Sequence, residues 1–381
     1  MKYLQNCIYK WLVVLVFMFT LKPATSNAAL VGDFNGDGTV SIAEVQMVIN
    51  SFLGLTADTY SQNDLTGTWY IFQYITGSNS SWARATLSVS SSGVATPSNG
   101  LNSDGGTGQT AAMQLNVSAN GEITTTDSTT KMFLSSNKQL IVGTGGLVGD
   151  ESIYIGIKAS SGFQQSDLQG SWRWQDFLQQ GNSGSSWANG WQRSNVSINS
   201  LGTATVSGGS GSSGSTTVPF TISPFKLDLN SQGIVTTSLL KSFYGVLSTD
   251  KNLLVATYTN GDGSIALSMF VRTGVTGFSL ANMQGTWNTN FMSLKDFYWG
   301  RAVTVFDASG NSIIRNIVQS NGVRADVSKS FTIMSNDGIF GTNASDATFS
   351  GVISLDKNLM IGTVTQDAAA NPAPSLFIWT K

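Results

Sequence analysis

Short segments in which apolar and polar residues alternate occupy most of the chain. Examples are ATLSVSSSG, MQLNVSANGEI and FKLDLNSQGIV, and turn-forming residues separate such segments about every ten positions. Alternation with a period of two predicts antiparallel strands that bury one face and expose the other. The pattern therefore predicts an all-β protein.

The same strand pattern occurs three times, with a period of roughly a hundred residues that is typical of tandem domains. Each copy has a Gly-x-Trp sequence near its start, then a Trp-x-Arg sequence, and a basic residue at the end of its closing strand. In chain order, the tryptophans of Gly-x-Trp are Trp69, Trp172 and Trp287, the Trp-x-Arg pairs are Trp82/Arg84, Trp191/Arg193 and Trp299/Arg301, and the closing basic residues are Lys158, Arg272 and Lys381. We predict repeats at residues 64–160, 167–274 and 282–381.

Each repeat has room for about eight short strands at this spacing. Consecutive short hairpins favour an up-and-down meander, and a meander of eight strands protects its edges best by closing on itself. A closed barrel of this size is packed by side chains or holds one small ligand. We therefore predict three tandem antiparallel up-and-down β-barrels, with β-sandwich repeats as the alternative.

The first 28 residues have the order of a secretory signal peptide. Lys2 and Lys10 precede an apolar run from Trp11 to Leu21, and small residues follow before Ala28. The apolar run is too short to span a membrane comfortably, and no later stretch of eighteen apolar residues predicts a spanning helix. We expect cleavage after Ala28 or Ala29 and a secreted, extracellular protein, with the periplasm or the cell surface as alternatives.

A calcium-binding loop follows the predicted cleavage site. The segment GDFNGDGTVSIAE places oxygen-bearing residues at the first, third, fifth, seventh, ninth and twelfth positions of a loop that starts at Asp33, and Gly38 allows the sharp turn at its sixth position. A hard cation such as Ca²⁺ takes six to eight oxygen ligands. The predicted metal ligands are Asp33, Asn35, Asp37, Thr39, Ser41 and Glu44.

Apolar residues at helical spacing predict a single amphipathic helix over residues 42–53, within an N-terminal segment of residues 29–56. Residues 32–55 resemble an EF-hand and, because the entering helix is missing, one repeat of a type I dockerin. That resemblance implies calcium-dependent docking to a protein partner. It departs from the family in having one repeat where dockerins have two, and Glu44 where their twelfth position is usually Asp.

The three repeats are similar to the calycin barrels, the lipocalin and avidin-like group. That group places Gly-x-Trp on its first strand and a basic residue on its last strand. The resemblance implies that each late cation lies across the indole of the same repeat and helps to close one end of the barrel. The paired residues would be Lys158 with Trp69, Arg272 with Trp172 and Lys381 with Trp287.

Composition excludes several kinds of chemistry. The chain contains no His, and its single Cys, Cys7, falls in the predicted signal peptide, which excludes Ser-His-Asp or Cys-His catalysis, imidazole zinc sites and disulfides in the mature chain. The net charge of −2 does not favour nucleic acid as a partner, because phosphate binding relies on clustered Lys and Arg. Glycosidases need two carboxyl groups across a cleft, whereas the adjacent Asp150 and Glu151 would face opposite sides of a strand. We expect a protein that is not an enzyme.

The combined features predict a secreted calcium-binding protein whose three barrels act as an extracellular binding or interaction module. The sequence does not distinguish among three kinds of partner: a glycan, a small hydrophobic ligand, and a protein that binds the helix of residues 42–53. The alternatives are a dockerin-bearing accessory protein or hydrolase of polysaccharide degradation, and a structural matrix or surface-layer protein.

The tryptophans divide into recurrent and non-recurrent ones. Trp and Arg two residues apart share a face of a strand, so that each Trp-x-Arg pair can stack as a cation–π contact. Because this pair recurs in every copy, we interpret it as part of barrel closure rather than as a platform for sugar rings. Trp174, Trp187 and Trp379 do not recur and are better candidates for a binding surface. Gly/Ser-rich sequence predicts flexible loops at residues 99–110 and 207–217.

Overall fold

The computed structural model describes residues 60–381, together with Val40 and Val45, apart from gaps at 78, 108–110, 127–128, 148, 180–188, 214–215, 241, 275–276, 295–296, 343–348 and 367–372. The chain divides into two compact units, Met1–Thr59 and Tyr60–Lys381. The predicted signal peptide, the six predicted calcium ligands, the helix of residues 42–53 apart from Val45, and Trp187 all lie outside the described residues. The N-terminal predictions therefore remain predictions.

The first barrel consists of eight antiparallel strands preceded by a four-residue helix, α1 (Gln62–Leu65). Its strands are β1 (Gly67–Gly77), β2 (Ser81–Val89), β3 (Val94–Asn102), β4 (Met113–Val117), β5 (Glu122–Thr125), β6 (Lys131–Leu134), β7 (Leu140–Leu147) and β8 (Asp150–Lys158). Each strand pairs with the next one in sequence, and β1 also pairs with β8, which closes the barrel.

The second and third barrels repeat this plan, each behind a 3₁₀ turn (Gln165–Leu168 and Leu280–Asn282), and each gains one short strand. The second contains β9 (Gly170–Gln179), β10 (Gly190–Ile198), β11 (Thr203–Ser213), β12 (Thr216–Phe220), β13 (Phe225–Leu229), β14 (Ile234–Thr237), β15 (Tyr244–Leu247), β16 (Leu253–Thr259) and β17 (Ile265–Thr273). The third contains β18 (Gly285–Ser293), β19 (Tyr298–Phe306), β20 (Asn311–Gln319), β21 (Gly322–Val323), β22 (Val327–Ile333), β23 (Ile339–Thr342), β24 (Ser350–Ile353), β25 (Leu359–Gln366) and β26 (Ala373–Thr380).

Eight strands close each of these two barrels as well, because β9 pairs with β17 and β18 pairs with β26, while β10 pairs with β11 and β19 with β20. The extra strands β12 and β21 extend β11 and β20 as hairpins. The predicted fold class of three up-and-down eight-stranded barrels is confirmed, and the β-sandwich alternative is wrong. The predicted flexible loop at 207–217 is also wrong over its described residues, which form the β11–β12 hairpin.

The Gly-x-Trp tryptophans close one end of each barrel. Each indole Nε1 donates a hydrogen bond to the carbonyl four residues earlier, at distances of 2.7, 2.8 and 2.6 Å to Leu65, Leu168 and Met283. The late basic residue lies over the same indole: the ring centroid is 5.4 Å from Lys158 Nζ, 4.3 Å from Arg272 Cζ and 4.6 Å from Lys381 Nζ. The arrangement implied by the calycin resemblance is present in all three barrels.

An apolar core shared by all three barrels joins them into one unit. It is formed by the first strand and the last two strands of each barrel, with residues such as Ile155, Met269 and Ile378 at equivalent positions on β8, β17 and β26. These strands are therefore buried on both faces, as the unbroken buried stretch Ile265–Val271 of β17 shows. Burial on both faces explains why the closing strands read as nearly continuous apolar runs.

The Trp-x-Arg pairs connect each barrel to the next. Each guanidinium stacks on its own indole, at 4.7, 3.3 and 4.2 Å in the three copies. Trp82 Nε1 of the first barrel donates to Thr259 Oγ1 of the second at 2.9 Å, and Trp191 Nε1 of the second donates to Thr365 Oγ1 of the third, also at 2.9 Å. Arg301 Nη2 of the third barrel donates to the Thr129 carbonyl of the first at 3.3 Å. The contacts thus run from first to second, second to third and third to first barrel, and we name them the first, second and third seams.

Candidate functional site

A cavity of about 270 Å³ lies inside the first barrel. Alternate residues of β1 point into it, starting from Trp69 at the closed end and continuing with Ile71 and Gln73. Its apolar walls include Leu87, Leu115, Met113, Met132 and Ile141. The cavity is thus a mainly apolar lumen that begins at the closing tryptophan.

Polar groups line the lumen toward the end opposite Trp69. Gln73 Nε2 donates to the hydroxyl oxygens of Ser152 and Tyr154, at 3.0 and 3.1 Å. Tyr154 pairs directly with Gln73 across β8 and β1, and Thr130 lines the same end. An apolar body with a few polar groups at one end is the usual composition of a small-molecule site.

The last strand of the first barrel has a glycine opposite the lumen-lining Ile71. Gly156 of β8 pairs with Ile71 of β1, and a Cβ added to Gly156 would come within 2.8 Å of Ile71 Cδ1. The equivalent residues are Phe270, which pairs with Trp174 in the second barrel, and Trp379, which pairs with Thr289 in the third. Since a large aromatic side chain occupies this position in the other two barrels, the first barrel alone among the three lacks an aromatic ring there.

A second difference lies at the mouth. Thr130, immediately before β6, is equivalent to Phe243 before β15 and Phe349 before β24, as the pairing of each of these strands with the next one shows. Both phenylalanines pack in the apolar cores of their own barrels. The replacement of an aromatic ring by threonine therefore adds space and a hydroxyl group at the polar end of the first lumen.

The lumen of the second barrel is filled by a polar network around Asp176. Trp174 stacks on Phe270 with ring centroids 5.2 Å apart, and its Nε1 donates to Asp176 Oδ1 at 2.7 Å. Tyr258 donates its hydroxyl proton to Asp176 Oδ2 at 2.6 Å. Burial raises the pKa of Asp176 from 3.8 to about 6, against the opposing effect of its hydrogen-bond donors.

Aromatic rings fill the third barrel. Phe377 and Trp379 stack at 5.4 Å, and Phe340 and Phe349 pack against Trp379 at 6.2 Å each. The prediction that Trp174 and Trp379 belong to a binding surface is wrong, because both indoles are buried inside barrels. The Trp-x-Arg pairs do not form a platform for sugar rings either, because Trp82, Trp191 and Trp299 are at most 5% exposed.

Three equivalent polar turns meet at a small pocket of about 30 Å³ between the barrels. Asn137 Nδ2 donates there to Asp356 Oδ2 at 3.2 Å, and Asp250 and Asp356 each accept a hydrogen bond from a serine of their own turn. Within the described residues, no group of three or more His, Cys, Asp or Glu side chains is placed to hold a metal ion. We interpret these turns as contacts that join the barrels.

Over the part of the chain that the structure describes, no helix has the length and apolar character needed to cross a membrane.

The fold and the lumen define an all-β protein of three up-and-down barrels, the first of which contains a ligand-sized cavity. No protein family model matches the chain, and no curated protein matches its sequence. Among solved structures, the chain is similar to a candidate outer membrane protein of Bacteroides fragilis, at 13% identity and a TM-score of 0.20, over 57% of this chain and 100% of that one.

It is also similar to transferrin binding protein B of Neisseria meningitidis serogroup B, at 8% identity and a TM-score of 0.27, over 79% of this chain and 63% of that one. A further similarity, to a mutant transferrin binding protein B of Haemophilus parasuis, has 9% identity and a TM-score of 0.22, over 83% of this chain and 95% of that one. The candidate site therefore rests on the geometry of the lumen.

Proposed function

We propose that this is an extracellular binding protein whose first barrel holds a small, mainly apolar molecule with one neutral polar group. The observation that supports the proposal is the cavity of about 270 Å³ in the barrel where Gly156 and Thr130 stand in place of aromatic residues. The second and third barrels, with their filled lumens, would hold the first barrel in shape.

The volume limits the size of the ligand. A 150 Å³ apolar cavity holds benzene, which has six carbon atoms, so 270 Å³ accommodates roughly eleven non-hydrogen atoms by proportion. The apolar walls favour a hydrocarbon body, while the Gln73 amide and the Tyr154 hydroxyl favour a neutral group such as an alcohol. Burying ten methylene groups at about 0.8 kcal/mol each sets an upper limit near 8 kcal/mol, which corresponds to a Kd of about 1 μM.

Decan-1-ol is a suitable probe, and the second barrel supplies the blocking residues. The double variant Ile71→Trp/Gly156→Phe reproduces the Trp174/Phe270 pair and should abolish the heat of decan-1-ol binding in isothermal titration calorimetry. Val94→Ala, on the exposed face of β3, is the control and should bind as the unaltered protein does. The proposal fails if the folded double variant, checked by circular dichroism, binds decan-1-ol with unchanged affinity.

We further propose that residues 33–44 bind one Ca²⁺ ion and that the signal peptide of residues 1–28 directs secretion. The support is the complete set of oxygen-bearing positions from Asp33 to Glu44. Calcium titration should give heat with the full chain and none with Asp33→Ala, and equal heats from both would exclude the site. N-terminal sequencing of the exported protein should begin at Ala29 or Leu30.

A further inference from the structure

The three seams are built from equivalent positions, but the third differs from the others at its tryptophan. Gly146 of β7 is equivalent to Thr259 of β16 and Thr365 of β25, the threonines that accept the indole hydrogen bonds of the first and second seams. Glycine has no hydroxyl group to offer. Among the described atoms, none accepts a hydrogen bond from Trp299 Nε1, which is buried.

A second difference lies on β18, the strand that pairs with the Trp299 strand β19. In the second seam, Gln175 Nε2 donates to the Ile361 carbonyl at 3.1 Å, and its Oε1 accepts from Thr363 Oγ1 at 3.3 Å. The equivalent of Gln175 in the third seam is Asn290, which lies on β18 opposite Arg301, and β18 packs against β7 and β8 of the first barrel. By the same equivalence, Asn290 is directed toward Thr144.

Asparagine is one methylene shorter than glutamine and does not make these contacts. Asn290 and Thr144 are both fully buried. Within the described structure, Asn290 Oδ1, Asn290 Nδ2 and Thr144 Oγ1 have no hydrogen-bond partner.

A buried carboxylate completes the third seam. Glu151 pairs across the strands with Gly146 and occupies the position of the apolar Ile265 and Pro374. It is 1% exposed, and its Oε2 has no partner among the described atoms. Ser320, which hydrogen-bonds to the Glu151 side chain, donates its backbone N–H to the Trp299 carbonyl, so that Glu151 and Trp299 share a neighbour.

Buried polar groups in native proteins are almost always paired with protein atoms or with ordered water. The unpartnered atoms of the third seam include both donors and acceptors, and water can serve both at once. We propose that the third seam is a binding site for structural water, with one molecule joining Trp299 Nε1 to Glu151 Oε2 and another joining the Asn290 amide to Thr144 Oγ1. In the second seam, the equivalent tryptophan and amide side chains make direct hydrogen bonds instead.

Exchanging the two amides between seams tests the proposal. Asn290→Gln supplies the missing methylene, so its amide can replace the water and reach the Val142 carbonyl, which is equivalent to that of Ile361. We expect its Tm to rise by about 1–3 °C in thermal denaturation, and Gln175→Asn in the second seam to lower it by a similar amount. A fall in the Tm of Asn290→Gln equal to that of Gln175→Asn would overturn the proposal.

A crystal structure of the unaltered protein at high resolution decides the matter if Asn290→Gln does not fold. Ordered water within hydrogen-bond distance of both Trp299 Nε1 and the Asn290 amide would support the proposal. Well-defined density for both side chains without such water, or a direct bond from Trp299 Nε1 to Glu151, would overturn it.

Discussion

Asp176 makes the stability of the second barrel depend on pH, and Asp176→Asn should remove that dependence. The carboxyl group is fully buried and accepts hydrogen bonds from Trp174 and Tyr258. An amide keeps an oxygen for Trp174 Nε1, and its N–H group can donate to the Tyr258 oxygen, because a phenol hydroxyl both donates and accepts. The variant therefore retains the network without a titrating group.

Burial raises the pKa of Asp176 from 3.8 to about 6 in the folded protein. A carboxyl group whose folded pKa lies above its unfolded value stabilises the fold fully below the unfolded pKa, and this contribution is lost as pH rises through the folded pKa. The free energy of unfolding should therefore fall between pH about 4 and pH about 6. At 1.36 kcal/mol per pH unit, the loss is about 3 kcal/mol.

Urea denaturation of the unaltered protein and of Asp176→Asn, at intervals from pH 4 to pH 7.5, measures this loss. The difference between their free energies of unfolding cancels the groups that titrate in both proteins. It should change by about 3 kcal/mol in favour of the variant over this range. A difference that stays constant with pH would show that Asp176 does not titrate there and would refute the reasoning.

Further predictions concern the seams and the closing residues. Trp82→Phe removes the direct hydrogen bond to Thr259 and should lower the free energy of unfolding by about 1–2 kcal/mol in urea denaturation; an unchanged free energy of unfolding would contradict the assignment of the first seam. Phe270→Ala should cost about 3–5 kcal/mol by the same assay, because it leaves a cavity beside Trp174; a cost under 1 kcal/mol would mean that the ring does not fill the lumen. Lys381→Met should cost no more than about 1 kcal/mol, since one partly buried cation–π contact is lost, and a larger loss would point to a contact beyond the indole.

The features that can be predicted from the sequence are those that all three copies share. Alternation, the turns and the three Gly-x-Trp sequences with their late cations are local patterns, and each predicts a strand or a barrel closure that the structure contains. The number of strands follows from the spacing of the turns. The sequence predicts only part of the role of Trp82: its stacking on Arg84 follows from their spacing on one strand, whereas its hydrogen bond to the next barrel depends on how separate repeats pack.

The sequence predicts that a barrel of this size can hold a small ligand, but it does not predict that the first barrel is the one with the lumen. Its signal is the absence of aromatic side chains at Gly156 and Thr130, and a glycine in a strand is commonly taken for a bulge or a close approach. The difference becomes visible when the inward positions of the three copies are compared, because the residues equivalent to Gly156 are Phe270 and Trp379. Knowing which positions point inward requires the strand register, and the sequence alone does not fix it.

Comparison among the three copies separates residues that close the barrels and join them to one another from residues that give one barrel or one seam its own properties. The closing tryptophans and the Trp-x-Arg pairs are identical in type in all three copies, and every one of them makes an equivalent stacking contact. Gly156 and Asn290 depart from their equivalents, and each departure alters one place: the lumen of the first barrel and the third seam. If the lumen and the water of the third seam are independent, Asn290→Gln should raise the Tm without changing the affinity for decan-1-ol, whereas Ile71→Trp/Gly156→Phe should abolish binding in a protein whose third seam is unaltered. A change of affinity in Asn290→Gln would instead mean that the third barrel, through its contact from Arg301 to Thr129 beside the mouth, shapes the binding site of the first.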